Sequence, residues 1–308
     1  MIANELAWVG LVSNDVDAAA TVFAKHLGLP RTDLASAAGE VPVFTIGRSA
    51  LAVFPAGHPM VGGESKPGVH HIALGVDDLG AATRFAEQAG IPAAGAPAKG
   101  LGSARCVLLD RDATVGVRTY LSEKIAVARH EPGSLERIDH LGIASTDVAE
   151  DEQVFSRGFG FPVESRQTDM EVSIAVESFT SDKYGVVYHS REPEPVGGLR
   201  VCFISVGDAD LEFLANFNPR QGAHVEHGAP GNTKQDQGAI TRFVGGRGRG
   251  LHHIAVKAAD IDATLAKLQA AGVPLIDTKG RPGSRRALIG FVHPKALGGV
   301  LMHIVERP

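Results

Sequence analysis

The sequence predicts an α+β fold made of four repeats of one unit, each a strand, a helix and about three more strands. A short segment occurs in four versions along the 308-residue chain, AWVGLV, HHIALG, DHLGIA and HHIAVK. A Gly-x-Pro motif follows each version, 19 or 20 residues after its key residue. The key residues are Trp8, His71, His140 and His253. Because a repeat reveals the architecture before local propensity does, these two observations decide the fold class.

The order of elements inside each repeat follows from local signals. In the key segment, apolar residues either alternate with other residues or follow one another directly, and both patterns are typical of a short strand. An aspartate then takes the N-cap position of a helix, and a glycine 12 or 13 residues later takes the left-handed C′ position that ends it. The aspartates are Asp15, Asp78, Asp147 and Asp260, and the glycines are Gly28, Gly90, Gly160 and Gly272. Strand-like runs such as 287–292 and 299–305 complete the unit.

The four repeats pair into two halves, of which the C-terminal half is the longer. Repeats two and four match almost residue for residue, whereas repeats one and three align only if repeat three carries an insertion near 169–196. A second insertion, near 218–239, separates repeats three and four. We therefore predict a first domain at 1–125, a polar linker at 126–136 and a second domain at 137–308.

Composition excludes several classes of protein. A formal net charge of −5 argues against a nucleic-acid binder that uses a basic surface. The apolar runs are far too short to span a membrane, and the N-terminus lacks the basic and apolar regions of a signal peptide. Two cysteines in different halves do not form a disulfide framework, so we expect a cytoplasmic protein.

Four polar residues interrupt apolar strands at equivalent places in the C-terminal half. They are His140, Glu212, His253 and His303. A charged or imidazole group on such a strand is costly to bury without a partner, and a shared metal ion can partner all four. Three imidazoles and one carboxylate suit one divalent transition ion, such as Zn, Mn, Co, Ni or Fe.

The N-terminal half serves as an internal comparison for this site. Its matching positions hold Trp8, Ala52, His71 and Tyr120, so we expect no metal there. A single histidine on a strand is more often a satisfied core or surface residue than a ligand, and the prediction depends on the joint pattern. His70 and His252 precede key residues, and strict alternation predicts that they point to the opposite face in a structural role.

These repeats resemble the vicinal oxygen chelate superfamily, the group of glyoxalases, bleomycin resistance proteins and dioxygenases. The C-terminal half is most similar to methylmalonyl-CoA epimerase in IDHLGIA (138–144), GLHHIAV (250–256), AGVPLID (271–277) and FVHPKALGGVLMHIVE (291–306). The length of four modules is instead similar to that of the dioxygenases. The resemblance implies four βαβββ modules paired into two open, curved sheets, the second around a metal. It also implies that His140, Glu212 and His253 are ligands, and it places His303 where the family has a glutamate.

The resemblance implies an enzyme that transfers a proton beside a carbonyl group of a small molecule such as an acyl-CoA or a 2-oxo compound. Candidates for moving the proton are His303, if it is not a ligand, and Glu177 or Glu306. A non-haem Fe(II) dioxygenase, with Glu212 as the carboxylate, is the first alternative. A binding or resistance protein on the same fold is the second, and it would need a pocket without a metal.

Substrate contacts are predicted from basic clusters and a turn. Basic residues concentrate at 242–249 and at 279–286, where they either bind an anionic substrate or lie on solvated loops. The turn at 293–299 lies near the carboxylate end of the substrate in the resembling family, and a simple tight turn is the alternative. The residues assigned to the substrate are His293, Lys295, Arg285 and Arg286.

The two insertions have separate predicted roles. The first contains an extra hairpin that turns around 182–185, and it either covers the site or forms a contact in a homodimer. The second is polar and rich in glycine, and it is predicted to be a mobile loop from which His224 or His227 could enter the site.

Overall fold

The protein contains two eight-stranded sheets and one separate two-stranded sheet. This computed structural model describes residues 2–131, 133–173, 176–192, 194–217 and 239–308, without the side chains of 170–173, 194–197 and 239. The second predicted insertion, with His224 and His227, lies outside the described residues except for its last position. Among the described helices, none is long and apolar enough to cross a membrane.

The N-terminal half contains eight strands and two helices. The strands are β1 (Glu5–Ser13), β2 (Arg31–Ser36), β3 (Gly39–Ile46), β4 (Ser49–Pro55), β5 (Gly68–Gly75), β6 (Ala98–Lys99), β7 (Arg105–Leu108) and β8 (Thr119–Ser122). The helices are α1 (Val16–Thr21), which continues as a π-helical turn at Val22–His26, and α2 (Leu79–Gln88).

The C-terminal half repeats this order with additions. Its strands are β9 (Leu135–Ala144), β10 (Val163–Ser173), β11 (Val176–Ser181), β12 (Gly185–Ser190), β13 (Glu194–Val206), β14 (Ala209–Phe217), β15 (Gly250–Ala258), β16 (Arg281–Pro282), β17 (Leu288–Val292) and β18 (Met302–Glu306). Its helices are α3 (Val148–Glu152), continued by a π-helical turn at Gln153–Gly158, α4 (Ala239–Arg247) and α5 (Ile261–Ala270).

The two large sheets have the same topology. The N-terminal order is β2-β3-β4-β1-β5-β8-β7-β6, and the C-terminal order is β10-β13-β14-β9-β15-β18-β17-β16. In each sheet the first strands of two repeats pair antiparallel at the centre, and each pairs in parallel with the last strand of its own repeat. The predicted fold of four βαβββ modules in two open, curved sheets is confirmed.

The predicted helix signals are also confirmed. Each of the four aspartates is an N-cap whose side chain accepts a backbone N–H of the first turn. Each of the four C′ glycines has a positive φ, between 74° and 84°, where an L side chain would be strained.

A β-bulge precedes each key residue at the centre of both sheets. The pairing of β1 with β5 skips Ala7 and His70, and the pairing of β9 with β15 skips Asp139 and His252. A bulge adds one residue to a strand and redirects the neighbouring side chains. The residue before each key position therefore leaves the strict alternation that the sequence suggested.

Two apolar clusters organise the N-terminal half. The larger contains side chains of both halves and buries the helices against the sheets. We call the boundary where the two halves pack together the seam. Across the seam, Asn14 N donates to Gly298 O at 2.9 Å. The second cluster fills the face of the N-terminal sheet that carries Trp8, and Ile125 and Val127 pack against it. The segment that connects the two sheets thus packs on that face through these two side chains.

The hairpin predicted in the first insertion is present. Strands β11 and β12 pair antiparallel from Val176↔Ser190 to Ser181↔Gly185, as the prediction of a turn around 182–185 required. Its apolar side chains are largely exposed, with Tyr184 76% and Tyr188 72% accessible. Its role as a cover for the site or as a contact in a homodimer stays a prediction.

Candidate metal centre

The four predicted metal donors lie on four adjacent strands of the C-terminal sheet. These strands are β14, β9, β15 and β18, in that order, and they carry Glu212, His140, His253 and His303 respectively. The register sets Glu212 and His253 on either side of Gly142, and it sets His140 and His303 on either side of Ala255. The four side chains therefore converge on one face of the sheet centre.

The donor atoms are close to one another and buried. One ring nitrogen from each of the three histidines lies within 4.8 Å of the others. The Oε2 atom of Glu212 lies 3.3 Å from Nε2 of His140 and 3.6 Å from Nε2 of His253. All four residues are at most 7% exposed. Such crowding of polar groups in an apolar interior requires a partner.

The site has the unsatisfied atoms that a metal ion would satisfy. Nε2 of His253 and both ring nitrogens of His303 are buried without a hydrogen-bond partner among the described residues. Buried polar atoms are nearly always paired, and one ion would pair with Nε2 of His253 and with one of the two ring nitrogens of His303. Three neutral imidazoles and a carboxylate are a donor set that divalent transition ions accept, and the residues therefore fit such an ion.

Burial keeps the donors in the protonation states that coordination needs. Burial lowers the pKa of His253, and it holds the pKa of His303 well below its usual range, so both rings are neutral at neutral pH. Burial alone raises the pKa of Glu212. The neighbouring His140 and His253 outweigh it, so the net pKa of Glu212 is lowered and the carboxylate is ionised.

Asp139 holds the ring of His140 from outside the donor set. Its Oδ1 atom lies 2.8 Å from Nδ1 of His140, and its Oδ2 atom accepts from Arg307 at 2.8 Å. The Asp139 side chain is fully buried, and although burial raises its pKa, His140 and Arg307 outweigh that effect and lower it. A carboxylate on Nδ1 leaves the Nε2 atom of His140 free to face Glu212 and the other donors.

His252 departs from the prediction that it points away from the site. It lines the cavity, and its Nδ1 atom lies 2.9 Å from Nδ1 of His253. Burial and the neighbouring His253 lower the pKa of His252 to about 3. The reason is the bulge at this residue, which interrupts alternation. His70 makes the equivalent contact with His71, at 2.6 Å between Nδ1 atoms.

A cavity of about 350 Å³ opens over the donors. Apolar side chains from β13, β17, β18 and α4 form most of its wall, including Phe203, Phe291 and Ile240. Arg281, Arg285 and Arg307 also line it. A small cavity with an apolar wall and a few converging polar groups is typical of a site for a small molecule.

Of the residues assigned to the substrate, only Arg285 lines this cavity. Its guanidinium pairs with Asp210 at 2.7 Å and Asp139 at 3.3 Å, and its Cζ lies 3.6 Å from the ring centroid of Phe203. Arg285 therefore already has carboxylate partners. Arg286 follows it with a positive φ of 58° and is absent from the described lining.

The turn at 293–299 lies away from the cavity. The His293 ring accepts from Lys295 N and caps the short helical turn Pro294–Leu297. The end of that turn packs on the N-terminal half, where Ser13 donates to the carbonyl of Leu297. The structure therefore places His293 and Lys295 in a capped turn outside the described lining of this cavity, and their contact with a substrate stays a prediction.

Two of the three residues predicted to move a proton are also elsewhere. The Glu306 carboxylate accepts from Ile261 N at the start of α5. Alternation along β18 explains this, since His303 and Val305 face the cavity and Glu306 faces the opposite side. Glu177 lies on the exposed β11 and pairs with Arg191. His303 is the remaining candidate, and sequence reasoning missed Asp139, His252 and Arg307.

The matching place in the N-terminal half is filled by packing. Trp8 and His71 are fully buried, with ring centroids 4.8 Å apart, and Phe54 lies 5.7 Å from His71. Tyr120 occupies the place of His303 and donates to Met60 O at 3.3 Å. Ala52 occupies the place of Glu212.

Comparison with known proteins identifies the family. The model described as the Glyoxalase/Bleomycin resistance protein/Dioxygenase superfamily matches residues 5–113 and 137–289, most of the chain. The chain belongs to this superfamily. The resemblance read from the four repeats is thereby confirmed, and the superfamily's paired modules correspond to the two sheets described above.

Individual relatives within the superfamily are distant. The uncharacterized protein YqjC of Bacillus subtilis is 23% identical over 172 residues, which are 56% of this chain and 93% of that protein. The mitochondrial methylmalonyl-CoA epimerase of Dictyostelium discoideum is 26% identical over 131 residues, 41% of this chain and 69% of the epimerase. A mutant 4-hydroxymandelate synthase from Streptomyces coelicolor superposes with a TM-score of 0.64 at 16% identity, covering 100% of this chain and 93% of the synthase. This last likeness shows that the shared fold extends over the whole chain.

Proposed function

We propose that the chain is a metal-dependent enzyme that moves a proton beside a carbonyl group of a small substrate, as an isomerase, an epimerase or a glyoxalase-like lyase. The observation that carries the proposal is the convergence of His140, Glu212, His253 and His303 on the floor of an apolar cavity. One divalent ion held by these residues would polarise the substrate oxygen as a Lewis acid.

The number of donors supports proton transfer. If His303 also coordinates, the protein would supply four donors and leave room on the ion for the oxygen atoms of a small substrate. The remaining work belongs to the protein. Asp139 keeps Nε2 of His140 directed at the centre, and the mainly apolar wall would reduce the contact of a bound substrate with water.

One side chain on the cavity floor is suited to carry the proton if it does not hold the ion. Glu212 is ionised and lies close to both His140 and His253, so it would serve as a ligand instead. His303 is neutral and has two unpartnered ring nitrogens, so one nitrogen can bind an ion or accept a proton. Asp139 is unsuited, because His140 and Arg307 already use its oxygens.

The size and lining of the cavity support a small substrate. A volume of about 350 Å³ accommodates a small acyl or 2-oxo compound but not a whole coenzyme A thioester, whose nucleotide end would extend outside. Arg281 lines the cavity and has only the carboxylate of Asp277, at 3.2 Å, as its described ion-pair partner. It is the better placed arginine for an anionic substituent, since Arg285 is already paired with three carboxylates, those of Asp139, Glu164 and Asp210.

The test is solvent exchange at the substrate carbon. The metal-loaded protein is incubated in D₂O with small acyl-CoA esters and 2-oxo acids, with and without oxygen. We expect the wild-type protein to incorporate deuterium into the substrate without taking up oxygen. The His140→Ala variant should lose this exchange, and the His71→Ala variant should retain it. His303→Gln separates the two roles of that residue. Loss of metal marks it as a ligand, and retained metal with slow exchange marks it as the proton carrier.

One observation favours the alternative that the protein is a dioxygenase. Glu212 lies close to both His140 and His253, which would form a two-histidine, one-carboxylate set if His303 did not coordinate. Oxygen uptake that depends on Fe(II), with no deuterium incorporation, would overturn the isomerase proposal. Tight binding of a small molecule by protein without metal would instead indicate a binding protein.

A further inference from the structure

A second, smaller cavity lies at the seam between the two halves, away from the metal donors. It has a volume of about 120 Å³ and is lined mainly by polar groups. The N-terminal half contributes the start of β5 and residues that precede β5 and β8, and the C-terminal half contributes α4 and the start of β15. Its charged or imidazole lining residues are Glu64, Lys66, His70, Arg111, Arg118, Arg247 and Arg249.

This seam cavity concentrates positive charge in a chain whose formal net charge is −5. Five basic side chains line it against one carboxylate, Glu64. Arg249 is balanced by Glu150 and Asp151, each at 2.6 Å. The other four cations have no carboxylate within 4.0 Å among the described residues, so Glu64 balances the positive charge in the cavity only in part.

The hydrogen bonds around the cavity leave donors directed at it. Arg111 donates to the carbonyls of Gly116 and Arg249, at 3.0 and 3.3 Å, and Arg247 donates to the carbonyl of Pro67 at 2.9 Å. These contacts fix two guanidinium groups in place without neutralising them. Arg118 has no hydrogen-bond acceptor among the described residues and is half-buried, so its guanidinium is available to a ligand.

Two lining residues also have a buried polar atom without a partner. They are Nε of Arg249 and Nε2 of His70. The Arg249 nitrogen can only donate, and Nε2 of His70 donates when Nδ1 accepts from His71. Buried polar atoms are rarely left unpaired, and an acceptor that carries negative charge would both pair with these nitrogens and balance the neighbouring cations.

We propose that the seam cavity binds a phosphate group. Guanidinium groups bind phosphate oxygens through paired, charge-assisted hydrogen bonds, and the cavity is of the size of one such group rather than of a larger ligand. The phosphate would be held by Arg118 and Arg247 from opposite halves and by the unpaired nitrogens of Arg249 and His70. This would give a role to Arg247 and Arg249 of the basic segment at 242–249, and it would give the N-terminal half a part in binding.

The site is independent of the proposed reaction, and its test uses no metal and no substrate. Binding of inorganic phosphate to the full chain is measured by titration calorimetry at constant ionic strength. We expect one saturable site and a melting temperature that rises with phosphate concentration. Arg118→Gln should raise the Kd by about tenfold or more, because it removes a charge-assisted contact. Arg84→Gln, on an exposed position of α2, should leave the Kd unchanged.

Two additional measurements identify the source of the phosphate and provide a second variant in case the first does not fold. Tighter binding of ADP than of inorganic phosphate would indicate a phosphate ester, and weaker binding would indicate the free ion. Lys66→Gln, at an exposed position, provides a second variant that is expected to weaken binding if Arg118→Gln does not fold. The proposal is overturned if chloride at equal ionic strength raises the melting temperature as much as phosphate does, or if no saturable binding occurs below roughly 10 mM.

Discussion

The imidazole of His253 occupies the space that a side chain at Gly142 would need. The two residues face each other across β9 and β15, and a Cβ built on Gly142 would lie 2.0 Å from Cε1 of His253. The N-terminal sheet repeats the relationship, since a Cβ on Gly10 would lie 2.1 Å from Cε1 of His71. The glycine two residues after Trp8 or His140 therefore makes room for the histidine of the opposite repeat.

Gly142→Ala should weaken metal binding by about tenfold or more, because it displaces a ligand ring rather than removing one. The new Cβ and the His253 ring would have to separate by 1 Å or more to reach ordinary contact. The paired backbones of β9 and β15 cannot move apart that far, so the His253 ring must move. The measurement is the metal Kd by competition with a chelator.

Gly10→Ala is the matched control for that substitution. It creates the same clash with His71, so it should lower the free energy of unfolding by about 1–3 kcal/mol and leave the metal Kd unchanged. Gly95→Ala, with no atom near its Cβ position, should change neither quantity. Equal metal affinity in the Gly142→Ala variant and the wild type would contradict the assignment of His253 as a ligand.

Purified protein should contain about one divalent ion per chain. His140→Ala and His253→Ala should remove it, because each takes away one of four converging donors. His71→Ala should retain it, since His71 lies in a packed apolar cluster with Trp8 and Phe54. Elemental analysis of protein prepared without chelator gives the count, and loss of metal from the His71 variant would be the adverse result.

Asp139→Asn should lower metal affinity by about 10–100-fold without removing a ligand. The amide removes the negative charge beside Nδ1 of His140 and leaves Arg307 without its carboxylate partner at 2.8 Å. Chelator competition measures the effect. Asp33→Asn breaks an exposed ion pair with Arg31 instead, and it should leave the affinity as in the wild type.

Stability should fall as the pH falls below about 6.5, in part because of His70. Burial, reinforced by Arg118, lowers the pKa of His70 to about 4 in the folded protein. The unfolded chain therefore binds this proton first, and the folded state loses about 1.4 kcal/mol per pH unit between pH 6.5 and 4.

Urea unfolding of metal-free protein at several pH values measures that slope. His70→Asn should make it shallower by about 1.4 kcal/mol per pH unit, and His189→Asn, on the exposed hairpin, should not. An unchanged slope in the His70 variant would show that another group binds the proton.

The internal repeats made much of the candidate site predictable from the sequence. An internal repeat identifies equivalent positions, and one polar residue per equivalent strand is enough to place His140, Glu212, His253 and His303 together. The N-caps and C′ glycines follow from interactions within a few residues, which a sequence displays directly. Alternation along β18 also accounts for the orientation of Glu306, although the family resemblance alone drew attention to that residue.

Other features depend on contacts that no local pattern displays. The bulges at Asp139 and His252 turn both side chains towards the donors, and a two-residue period cannot reveal where a strand gains a residue. The seam cavity joins His70 to Arg249, 179 positions apart in sequence, and only the packing of the two halves brings their unpaired nitrogens together. The sequence by itself determined the repeat, its caps and the four residues proposed as metal donors. The tertiary structure decided which neighbours orient those donors and where cations from the two halves meet, because both depend on strand register and on packing over long separations.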